Sequence, residues 1–170
     1  YTDASVLYQV IVDCNEVLAN LHTVAENDRN FDPYIEFYFR GALIGMRGWA
    51  YLNIVRLYNE VAYIPDNLTS LPENLEQTIM GKAEILDTLV NQITPYIHDD
   101  SEGNEKVELK LPYYVNTKAL LGEIYLERKE YLKAEEQYKA ILAIDPKSVD
   151  SYYYLGEIYS ALGDIVKARY

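Results

Sequence analysis

The side chains best suited to catalysis or metal binding in this 170-residue chain are two histidines, one cysteine and two acidic groups. His22 and His98 lie far apart and lack the three- or four-residue spacing that sets two imidazoles on one metal ion. Solvated histidines are the simpler reading. Asp99, Asp100, Glu102 and Asn104 offer hard oxygen ligands for calcium, but the twelve-residue loop pattern with its closing Glu is missing. Glu135 and Glu136 form a carboxylate pair on what reads as an exposed helix face, where general acid–base chemistry would have no enclosed substrate. Cys14 falls in the helically spaced stripe Leu7, Val10, Ile11, Cys14, Val17, Leu18, so it reads as a core thiol. No His-Glu-x-x-His, Gly-x-Ser-x-Gly, P-loop or dinucleotide motif is present. The expectation is therefore a non-catalytic chain without metal or cofactor.

Tyrosine is the unusual chemistry, at 18 residues. Tyr113-Tyr114 and Tyr152-Tyr153-Tyr154 cannot all be buried, because neighbours on a helix point about 100° apart. Exposed tyrosines combine a flat apolar face with a hydroxyl, which suits protein interfaces first and sugar rings second. The net charge of −12 and a pI near 4.5 argue against nucleic acid and against adsorption on anionic lipid. With 49% apolar residues, the chain has enough hydrophobic surface for a core. A single cysteine excludes an intrachain disulfide, and no run of 18 apolar residues could span a bilayer.

These residues are positioned by a pattern written twice. Leu121-Gly122-x-x-Tyr125 returns 34 positions later as Leu155-Gly156-x-x-Tyr159, and Ala134 returns as Ala168. Tyr138 follows Ala134 by four residues, and Pro146 closes the unit after Asp145. Gly163 marks the turn of the second unit. This is similar to the tetratricopeptide register, in which a glycine lets two helices approach closely and the aromatics fill the space between hairpins. Lys118 stands where that pattern prefers Trp, and Ile141 where it prefers Ala.

Ahead of the repeats, periodicity predicts a helix from about Asp3, its N-cap, to Asn20, then a polar loop over 22–33. A long helix over 34–61 follows, with Phe39, Ala42, Leu43, Met46, Ala50, Ile54, Leu57 and Tyr58 on one face. Trp49 and Val61 border that face, whereas Tyr51, Leu52 and Val55 lie off it, so the helix should be buried on several sides. Gly41, Gly45 and Gly48 call for close helix packing in compensation for their low propensity, and Arg40 and Arg47 call for carboxylate partners. Residues 64–78 read as turns around Pro65 and Pro72. A helix over 80–97 carries the stripe Ala83, Leu86, Val90, Ile93, Ile97, with Pro95 bending its last turn. Residues 98–112 turn from acidic to the alternation Val107, Leu109, Leu111. The expected fold is all-α, a right-handed superhelix of stacked hairpins with seven helices and no convincing sheet. It forms one domain over 1–170, with N-terminal helices over 1–112 and repeats over 113–148 and 149–170. The second repeat breaks off within its last helix, as in a piece of a longer protein.

The N-terminal half carries a second likeness. Tyr8-x-x-Ile11-x-x-Cys14-Asn15-x-x-Leu18 resembles the opening helix of SusD/RagB-like proteins. Met46-Arg47-Gly48-Trp49-Ala50-Tyr51-Leu52-Asn53-Ile54-Val55-Arg56-Leu57-Tyr58-Asn59 resembles that family's Arg-rich aromatic helix, with Asn59 in place of its turn glycine. Lys118-Ala119-Leu120-Leu121-Gly122-Glu123-Ile124-Tyr125-Leu126 is similar to a third helix of the family. The resemblance implies a surface-exposed outer-membrane protein, tethered through a lipid anchor outside this chain. Such a protein captures a glycan or oligopeptide for a TonB-dependent, SusC-like transporter, which its helical repeats contact. No sugar-binding residue can be carried across, and the loops over 22–33 and 62–78 are candidate regions only. The reading from the repeats alone is a tetratricopeptide adaptor that mediates protein–protein interaction.

Overall fold

The computed structural model describes residues 4–29, 31, 33–70, 78–97 and 115–163. Within them run α1 (Ser5–Asn27), α2 (Pro33–Tyr58), β1 (Glu60–Tyr63), β2 (Thr78–Gly81), α3 (Lys82–Ile93), a 3-10 turn (Thr94–Tyr96), α4 (Thr117–Glu127), α5 (Tyr131–Ile144) and α6 (Val149–Ala161). The fold is all-α and tetratricopeptide-like, as the repeats imply. Six α-helices lie among the described residues, and the seventh expected one would fall on 164–170, outside them. Asp3, His98, the acidic group at 99–104, Val107, Leu109, Leu111, Tyr113, Tyr114 and Ala168 also lie outside.

Helix α1 runs seven residues past its expected end, through the polar segment read as a loop. Nothing between Asn20 and Asn27 breaks a helix: polar side chains there face solvent, while Leu21 on the same turn is buried. Ala4, not Asp3, occupies the N-cap position, with no side-chain cap. Of the predicted stripe, Ile11 and Cys14 are core residues, whereas Val17 is exposed. Asn15 and Val12 are buried instead, because the helix turns its Asn15 edge toward α2.

Helix α2 is the spine. Tyr51, Leu52 and Val55, expected off the main face, are fully buried, and Leu57 and Tyr58, expected on it, are exposed. Ala42, Ala50 and Ile54 of the predicted stripe are buried, and the buried arc faces α1 on one side and α3 and α4 on the other, so it is wider than one stripe, as a helix buried on several sides requires. The glycines behave as predicted. A Cβ on Gly48 would meet Ile93 of α3 at 3.0 Å, and one on Gly45 would meet Thr117 of α4 at 3.3 Å. Helix α2 ends before Val61, where Asn59 takes φ of 61°, a left-handed conformation that asparagine tolerates in place of glycine.

That turn feeds β1, which pairs antiparallel with β2 in the register Val61↔Met80 and Tyr63↔Thr78. The expected absence of a sheet is thus corrected: the four-residue strands are too short for a period-two pattern to stand out. Met80 sits in β2, so α3 starts at Lys82 rather than at residue 80. Its inner face is Ile85, Leu86, Leu89 and Ile93, while Ala83 is exposed. Pro95 does alter the end of this helix, within the 3-10 turn.

Candidate functional site

The repeat hairpins are built residue by residue. Asn116 caps α4, its side chain accepting from the backbone N–H of Lys118 at 3.0 Å and of Ala119 at 3.1 Å. Ser148 caps α6 by accepting from Ser151 N–H. Helix α4 ends in a Schellman turn, in which Glu130 N–H donates to Tyr125 C=O at 2.8 Å and Lys129 N–H to Leu126 C=O at 2.9 Å. Lys129 holds the left-handed φ of 59° that this turn needs. Its counterpart 34 residues on is Gly163, with φ of 75° after α6.

Each repeat residue named from the sequence finds a place, Ala168 apart. Leu121 is in the main core, and Ala134 and Leu155 are in a second core between α5 and α6. Gly122 touches Tyr138: a Cβ there would come within 2.7 Å of the ring carbon Cζ. Tyr138 is 1% exposed and stacks on Tyr154 with centroids 4.9 Å apart. Its hydroxyl has no hydrogen-bond partner among the described residues, and burial pushes its pKa up. Tyr125 packs against both cores and receives the Lys133 ammonium over its ring at 5.5 Å. Ile141, where the pattern prefers Ala, is buried in the second core. Tyr159 donates from its hydroxyl to Glu135 at 2.9 Å, joining α6 to α5. Glu135 is therefore a hydrogen-bonded strut that also pairs with Lys139, not half of an exposed carboxylate pair. Pro146 lies in the turn, and its C=O accepts from the Tyr152 hydroxyl at 3.2 Å.

Two polar networks that the sequence reading did not identify hold this hairpin stack to the spine and the spine to its cover. Arg56 of α2 donates to Glu123 at 2.8 Å and to Glu127 at 2.7 Å, and Lys82 donates to Glu127 at 2.6 Å. Burial pushes the Glu127 carboxyl up, but the hydrogen bonds from Lys82 and Arg56 outweigh it and hold it below the usual range. Arg128 reaches back to Asp87 of α3 and to Glu130. In the N-terminal half, Arg47 is 2% exposed and donates to Asn15 at 2.7 Å, Asp66 at 2.8 Å and Gln92 at 3.2 Å. Asn15 in turn donates to the carbonyls of Pro65 and Leu68. The Tyr63 hydroxyl accepts from Gln92 and donates to Asp66. Arg40 pairs with Glu36, so both arginines meet the carboxylates they require. A buried asparagine close to an arginine at a distance of 32 residues leaves no local pattern to find.

Cys14 is buried, and burial pushes its thiol up to about 11 despite the nearby Arg47 charge. His22 lies on α1, not in a loop, and faces solvent beside Glu26. No group of His, Cys, Asp and Glu among the described residues could hold a metal ion, and no described helix is long and apolar enough to cross a membrane. One open groove among the described residues lies along α6, lined by Tyr152, Tyr153, Gly156, Glu157, Ser160 and Ala161. Tyr152 and Tyr153 are 47% and 61% exposed there, while Tyr154 turns inward onto Tyr138, as the helical spacing of the triplet requires.

Searches of curated proteins and of solved structures give no match. Residues 137–170 match the family described as Tetratricopeptide repeat. The match begins within α5 and runs through α6, so it straddles the two units set out from the sequence, and its 34 residues equal the offset at which their signature recurs. A tetratricopeptide-type repeat is thus present in the C-terminal part of the chain.

Proposed function

We propose that this chain is a non-catalytic scaffold that binds another protein through its helical repeats. The observation that carries the reading is the repeat at 137–170, whose helix α6 presents two half-exposed tyrosines around a groove. Tyrosine supplies contact area at small entropic loss and can hydrogen-bond at its tip, which favours protein interfaces. The test is affinity capture followed by cross-linking, with the wild type compared against Tyr152→Ser/Tyr153→Ser. Proteins recovered by the wild type and lost with the double variant support the reading; an identical set from both would overturn it.

A second reading is a SusD/RagB-like nutrient-binding role at the outer membrane, serving a SusC-like, TonB-dependent transporter and a glycan or oligopeptide. One observation favours it: two of the three strings that carry that resemblance meet in space, with Asn15 accepting from Arg47 at 2.7 Å. Co-purification of a TonB-dependent transporter from envelope membranes is the expected outcome under this reading. Recovery of the protein from the cytosol alone would exclude it.

A further inference from the structure

We draw no further inference here: the strongest candidate, the apolar surface patch on the α1–α2 pair, where Val17 and Val24 of α1 and Trp49 and Leu57 of α2 are exposed, carries nothing because nothing in the structure shows what covers it.

Discussion

At Gly122, two effects of opposite sign compete. Helix propensity alone makes Gly122→Ala stabilising by about 1 kcal/mol. The new methyl would sit 2.7 Å from the ring of Tyr138, which is buried and stacked on Tyr154. Overpacking of about 1–3 kcal/mol wins, so Gly122→Ala should lower the melting temperature. Gly81→Ala, where nothing lies within 4 Å, should not, and thermal unfolding of the two variants compares them directly. The repeat also supplies its own correction at Lys129, which holds a left-handed φ where the second unit has Gly163. Lys129→Gly should raise stability by about 0.5–1 kcal/mol, since relief of left-handed strain exceeds the added freedom of the unfolded chain. Urea denaturation reads this, and a lower midpoint would refute it.

At the scale of elements, the α2–α4 contact is a clasp of charges around Glu127. Its folded pKa lies below the unfolded value near 4.3, so its contribution is complete above that value and is lost as pH falls through the folded one. The melting temperature should therefore hold between about pH 5 and 7 and decline below about pH 4, with a shallower acid decline in Glu127→Gln. Equal acid slopes for the two proteins would show that the clasp contributes nothing. Helical periodicity makes α1, α2 and α3 legible with misplaced ends, and the glycine and aromatic that recur at a fixed offset make α4 and α6 and the pairing of α4 with α5 legible. What escaped was set by distant contacts. Residues 22–27 look like a loop because they are polar, yet α1 continues through them, since no proline or glycine interrupts it. The β1–β2 ribbon gives each strand only four residues, and Met80 reads equally well as the start of a helix. Asn15 looks like a surface position within a stripe of apolar neighbours, and only the fold reveals Arg47 opposite it.

For the whole molecule, Tyr125 is the shared side chain of two cores that otherwise divide between the N-terminal layer and the α5–α6 pair. Tyr125→Ala should uncouple them: amide exchange in α5 and α6 should quicken by an order of magnitude or more, while the Cys14 thiol stays protected from alkylation. Parallel loss of both protections would mean a single cooperative unit.

The Arg47 hub has a bearing on the order in which the chain assembles. Its acceptors come from residues 15, 66 and 92, so the hub stays incomplete until α3 has docked against α1 and α2. The repeat hairpins, by contrast, close over separations of a few tens of residues or fewer. Loop-closure entropy favours the short closures, so the half made last on a growing polypeptide is the half equipped to form fast. The N-terminal layer must wait, through most of the first hundred residues, with a cationic side chain and its asparagine partner still in water. Pulsed labelling during refolding would then find protection of Cys14 arriving with that of α3 and after that of α4 and α5.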